Sequence, residues 1–283
     1  MTAVWLVLAS ALLHAGWNLC LKWHRDPEAA TAAVVAGTAG LTLAAGVAEA
    51  AWLGKPAFAT WSAAALACCC GLTETVMFVS LGRALHQAPL GLAYTVIRGG
   101  SILLVWPLAF LAQGEVPDLS EVTGAVTVVL GLAVLYPRGP GQSTRSGYLW
   151  ASLGACGVAA NMVLYKAALS AGALPWCLFA AAMGVAAPAT LGAGRGRDLW
   201  RRTGAAVRTQ PLVVGTSAIQ ATVGFGLALM AMQTTGAAWV GTLRNTSVAA
   251  APILGWVFLG ERPTARSTTG FGLVLAGVVL LVV

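Results

Sequence analysis

Charge is what this chain lacks. Only 9% of its 283 residues are charged, against 58% hydrophobic, and its mean hydropathy is +0.81. A soluble domain carries about 25% charged residues. A solvated surface cannot be built from this composition, so lipid must be the solvent. Enzyme and motor signatures are missing too. There is no G-x-x-x-x-G-K-[ST] loop, hence no ATP motor within the chain, and no G-x-S-x-G, H-E-x-x-H or D-x-D cluster. Three scattered histidines argue against a metal centre. No C-x-x-C pair exists. Cys20, Cys68, Cys69, Cys70, Cys156 and Cys177 all lie in apolar stretches and read as small packing residues. No metal and no cofactor are expected.

The net charge is +7, which raises the question of nucleic acid. The basic residues sit in short loops between apolar runs, not on one face of a soluble domain, so nucleic acid is excluded as a partner. Membrane lipid and a small-molecule substrate are the partners expected. Oligomeric state is not legible.

What is present is a series of apolar runs. A spanning helix needs about 20 mostly apolar residues. Ten runs fit: 2–22, 29–53, 61–83, 89–112, 119–136, 147–170, 174–193, 211–232, 236–259 and 265–283. The first has no basic stretch before it and no clean cleavage site, so it reads as a retained helix, not a signal peptide. The clearly polar stretches are 137–146 and 194–210, the second a loop or a short surface helix.

The second half repeats the first. Segment 94–115 reads YTVIRGGSILLVWPLAFLAQGE and segment 240–261 reads VGTLRNTSVAAAPILGWVFLGE. One ungapped offset of 146 pairs Arg98 with Arg244, Ser101 with Ser247, Gly114 with Gly260 and Glu115 with Glu261. It also pairs Gly124 with Gly270, Gly131 with Gly277, and Glu74 with Gln220. This divides the chain into a first five-helix repeat over 1–137, a link over 138–146 and a second repeat over 147–283. Paired halves in an apolar chain point to a secondary transporter with its site at the seam between them. Five helices per half is an odd number, so the halves must be inverted. The loop after the fourth run is acidic (Glu115, Asp118, Glu121) and its partner after the ninth is basic on balance (Glu261, Arg262, Arg266), as inversion requires. Odd-numbered loops hold eleven arginines and even-numbered loops only Lys55. Basic loops stay cytoplasmic, so both termini are expected outside a cell inner membrane.

Here the chain resembles the drug/metabolite transporter superfamily, EamA type. The resemblance rests on ALLHAGWNLCLK (11–22), on the two segments ending in Gly-Glu, and on the glycine-spaced helices after them. It implies an all-α integral membrane protein: ten transmembrane helices in two inverted five-helix repeats. It leaves the substrate open, since the superfamily carries amino acids, drugs, nucleotide sugars, sugar phosphates and lipid-linked sugars.

A charged side chain at mid-membrane costs about 2.5–3.5 kcal/mol on insertion scales and is a functional candidate by default. Glu74 sits near the middle of its run, with Gln220 as repeat partner. It either carries a proton or a cation, or ties helices together as a neutral acid. Arg98 and Arg244 stay charged when buried and need an anion or several carbonyls. Each either binds a substrate carboxylate or phosphate, or snorkels, or pairs with Glu74. His14 and Asn18 share a helix face, with Lys22 a turn further on. Asn161, Tyr165 and Lys166 stand at similar positions in the second half. These form a polar stripe along a cavity, or bond neighbouring helices. Tyr94 shares the face of Arg98. The Gly124/Gly131 and Gly270/Gly277 pairs, seven apart, read as close packing of the helices that hold them. The expected function is secondary transport of a small polar metabolite by alternating access, proton-coupled or by exchange. A flippase for a lipid-linked substrate is the alternative. A membrane enzyme using Glu74 or His14 is disfavoured, for want of a second carboxylate, nucleophile or metal cluster beside them.

Overall fold

In lipid every backbone N–H and C=O must be satisfied within the segment, so apolar runs of this length can only be helical. A computed structural model of the chain describes residues 2–22, 24, 26–87, 90–135, 145–193, 198–245, 247 and 265–282. These hold eleven helices. The first half carries α1 (Thr2–Lys22), α2 (Pro27–Leu53), α3 (Trp61–Gln87), α4 (Leu90–Gln113) and α5 (Leu119–Leu135). The second carries α6 (Arg145–Ser170), α7 (Pro175–Ala193), α8 (Asp198–Thr209), α9 (Pro211–Met232), α10 (Ala237–Arg244) and α11 (Ala265–Val282). Six of these are long and apolar enough to cross a membrane: α2, α3, α4, α6, α7 and α9. Shorter apolar helices cover Thr2–Trp17, Leu119–Val134 and Thr268–Leu281. The polar 194–210 stretch contains the amphipathic α8, whose Leu199, Thr203 and Ala206 are buried.

The most extensive pairings join the two halves: α5 with α11, α3 with α6, α1 with α9, α4 with α6 and α2 with α7. The α5–α11 contact explains the spaced glycines. A methyl group added at Gly124 would lie 2.8 Å from the Gly277 carbonyl oxygen, and one at Gly131 would lie 2.9 Å from that of Gly270. Position 124 thus meets 277 and 131 meets 270, so the two helices run antiparallel with their backbones touching.

One end of the bundle is stitched across the halves. There the Ala59 N–H donates to the Gly172 carbonyl and the Leu174 N–H to the Ala57 carbonyl, each at 3.0 Å. Thr60 Oγ1 donates to the Ala171 carbonyl at 2.9 Å. Trp52 and Trp61, 90% and 93% exposed, ring this end as interfacial anchors do. At the other end Arg202 on α8 grips α2. Its Nε and Nη2 each donate to an Asp26 carboxylate oxygen at 2.8 Å, and Nη2 reaches Glu28 at 2.9 Å. Asp26 also accepts the Ala29 N–H at the start of α2.

Two outcomes follow. Gly131→Leu forces two backbones apart and is expected to destabilise by about 1–3 kcal/mol, as overpacking does. Gly272→Ala, which meets nothing within 4 Å, is expected to lose nothing; thermal melting in nanodiscs compares them. Arg202 holds the Asp26 carboxyl below its ordinary value, chiefly through the side-chain hydrogen bond. A depressed folded-state value means the stabilisation is present above the unfolded value and is lost as pH falls through the folded one. Asp26→Asn is therefore expected to melt earlier than the parent at neutral pH, with the gap closing below the usual carboxylate range.

Candidate functional site

The α3–α6 contact brings Glu74 and Asn161 together. Gly157 of α6 lets the backbone of α3 near Met77 come close, since a methyl there would already touch the Met77 nitrogen at 3.4 Å. Asn161 Nδ2 donates to Glu74 Oε1 at 2.8 Å, and Thr73 Oγ1 donates to Asn161 Oδ1 at 2.7 Å. The Thr73 bond fixes which end of the amide faces Glu74. Tyr165 donates its hydroxyl to the same Glu74 oxygen at 3.4 Å. Glu74 is 3% exposed, and its Oε2 accepts no hydrogen bond from the described residues.

A second group gathers on α1, α4 and α10. His14 stands between the two arginines. Arg98 Nη2 meets His14 Nε2. Arg244 Nη2 approaches His14 Nδ1 at 3.4 Å, where Trp17 Nε1 also donates at 2.9 Å. Arg244 Nε donates to Ser10 Oγ at 3.0 Å, and its guanidinium lies 4.7 Å over the Phe225 ring. Arg98 Nη1 donates to Asn245 Oδ1 at 3.1 Å. Asn245 Nδ2 in turn donates to Ser101 Oγ at 3.2 Å. Hydroxyl, imidazole, amide and aromatic groups thus position the two guanidiniums.

Both groups face one cavity, lined by His14, Glu74, Arg98, Asn161 and Arg244 and otherwise mainly by Val, Met and Phe side chains. A smaller space adjoins Arg98, Ser101, Arg244 and Asn245. The wall carries the forked donors of two arginines and the carboxyl group of Glu74. Among the described residues, no three His, Cys, Asp or Glu gather as metal ligands.

Five residues singled out from the sequence therefore share one cavity: His14, Glu74, Arg98, Asn161 and Arg244. Gln220 is placed elsewhere. It lies against α1, where its Oε1 would meet a methyl at Gly16 at 2.5 Å. Lys166 Nζ donates to the Met232 carbonyl at 2.7 Å, tying α6 to the end of α9. The side chains of Asn18, Lys22 and Tyr94 lie outside the described residues. Sequence reasoning missed Thr73, Ser10 and Asn245. It also missed Glu49, a carboxylate inside α2 that accepts the Trp176 and Cys177 N–H groups at 2.9 and 3.3 Å. Acidity inside an apolar run was a signal for Glu49. Serine and threonine inside helices carry no comparable mark.

Residues 145–283 match the EamA-like transporter family. A solved crystal structure of a protein shares the fold across the whole chain, with a TM-score of 0.69 and 19% identity, covering 100% of this chain and 99% of that one. No curated protein matches the chain.

Removing the amide of Asn161 leaves the buried Glu74 without its nearest donor. Asn161→Ala is expected to lower stability by about 1–3 kcal/mol, whereas Glu74→Gln, which keeps an acceptor in place, is expected to lose less. Melting of the purified variants in nanodiscs checks the order.

Proposed function

We propose that the chain, whose residues 145–283 match the EamA-like transporter family of the drug/metabolite transporter superfamily, is a multi-pass membrane transporter that moves a small polar metabolite bearing a carboxylate or phosphate. One observation carries this reading. Arg98 from the first half and Arg244 from the second meet at His14 on the wall of a single cavity. A guanidinium is charged at every relevant pH and presents a planar fork that matches carboxylate and phosphate oxygens. Glu74, with one oxygen left over from its helix-tying bonds, is the group proposed to couple transport to protons or to an exchanged solute. Asn18 and Tyr94 are further pathway residues in this proposal and Lys22 a weaker one, whereas Gln220 lies against α1 and Lys166 is tied to the Met232 carbonyl.

The proposed mechanism is alternating access between two inverted five-helix repeats, 1–137 and 147–283, giving ten spans with α8 at the surface. The reciprocal pairing supports it: the first helix of each half packs on the third spanning helix of the other, and second packs on second and fifth on fifth. The proposed location is the cell inner membrane with both termini outside. The loop charge supports this, since the arginines fall in the odd-numbered loops.

The test is purified protein in proteoliposomes, with and without a pH gradient, offered acidic, neutral and cationic solutes. Acidic solutes are expected to move. Arg98→Lys and Arg244→Lys are each expected to lower transport about tenfold, because an ammonium cannot make the bidentate contact. Glu74→Gln is expected to abolish gradient-driven accumulation and spare exchange. Tight binding of hydrophobic cations that survives Arg98→Ala and Arg244→Ala, with no response to acidic solutes, overturns the reading. Movement of lipid-linked phosphates in place of soluble acids would make the protein a flippase.

A further inference from the structure

The stitched end contains one contact that the cavity does not explain. α4 ends at Gly114, whose φ of +68° turns the chain back on the helix. The Gly114 N–H returns to the Phe110 carbonyl at 3.0 Å, and the Glu115 N–H reaches the Ala109 carbonyl at 3.4 Å. This left-handed cap closes the helix and throws the next side chain sideways. That side chain is Glu115. Its Oε1 accepts the Ala237 N–H at 2.8 Å and its Oε2 accepts the Ala238 N–H at 3.3 Å. The donors open α10, in the other half of the chain. Those N–H groups have no partner within the helix, and a carboxylate there also meets the positive end of the helix dipole.

The receiving side is shaped for this contact. Gly236 precedes α10, and a methyl added to it would stand 2.5 Å from Glu115 Oε2 and 2.8 Å from its carboxyl carbon. The glycine is open space that the carboxylate fills. The other end of α10 is Arg244. The helix has 8 residues, so about 12 Å separates its ends at 1.5 Å rise per residue. Trp239 and Thr242 on it are themselves tied to the Leu281 carbonyl and to Trp106 Nε1.

We propose that Glu115 is a positioning residue for transport: by clamping the start of α10 across the two halves, it sets where Arg244 stands in the cavity and holds this end of the bundle shut. The proposal rests on the transport reading for its consequence, but the clamp stands on its own geometry. Closure at the surface and placement of the anion-binding guanidinium thereby become one event, and the end cannot open without displacing Arg244.

The experiment uses the full chain in nanodiscs and proteoliposomes. Glu115→Gln, Glu115→Asp and Gly236→Ala are compared with the parent by backbone hydrogen exchange over residues 233–244. They are compared also by transport of a small dicarboxylate and of inorganic phosphate. Loss of a charged acceptor at two amides is expected to speed exchange at Ala237 and Ala238 about tenfold in Glu115→Gln, with the same direction in Gly236→Ala. Apparent KM for the acidic probe is expected to rise with a smaller change in the maximal rate, and Glu115→Asp is expected to recover part of both. Unchanged exchange at those amides in both Glu115→Gln and Gly236→Ala overturns the proposal. So does faster exchange with an unchanged KM. If the parent itself carries neither probe, the transport reading is what has failed, and the exchange rates still decide whether Glu115 clamps α10.

Discussion

Two guanidiniums that cannot lose their charge are held among apolar helices, and most of the polar architecture answers to them. Arginine has no neutral form to fall back on, so burial has to be offset by donors' partners and by ring faces. Ser10, His14 and Asn245 supply acceptors, and Phe225 supplies a π-face. All four come from outside the helix bearing the guanidinium they serve. The result is a site assembled only when α1, α4, α9 and α10 are all in place. Its polarity is a product of tertiary packing, not of any single helix.

The carboxylate side follows a different logic. Glu74 is tied by Asn161 and Tyr165 through one oxygen only. Oε2 is left over from those bonds, and Glu74 lines the same cavity as the two arginines. Such an arrangement favours a ligand with its own charge pattern over a purely lipophilic one, because an apolar guest would strip water from the guanidiniums and return nothing.

Much of this was legible in the sequence, for reasons that can be named. Charges inside apolar runs announced themselves, and the repeat offset singled out Arg98 with Arg244 before any geometry was known. The glycine spacing in α5 and α11 read correctly as backbone contact, because small residues at one helical face have little other use in lipid. What could not be read was partnership. Nothing in the chain says that His14 falls between the two arginines, that Gln220 turns toward Gly16, or that Lys166 ends on a backbone carbonyl. Those outcomes depend on helix rotation, which an apolar sequence encodes weakly when lipid and protein interior are equally greasy. Asn245 escaped notice for a plainer reason: its repeat counterpart is Gly99, so the symmetry that exposed its neighbour hid it.

The antiparallel crossing of α5 and α11 has a consequence for how this chain can change over time. Among the described residues, neither helix supplies a side chain to the cavity wall. Their inner faces are fixed by glycine against glycine, and their outer faces, including the 54% exposed Leu130 and the 59% exposed Val279, are constrained only to be oily. Natural variation is free to accumulate on those outer faces at little functional risk. The same surfaces offer a place where a tag, a fluorophore or a second membrane helix can be grafted while the cavity is left untouched.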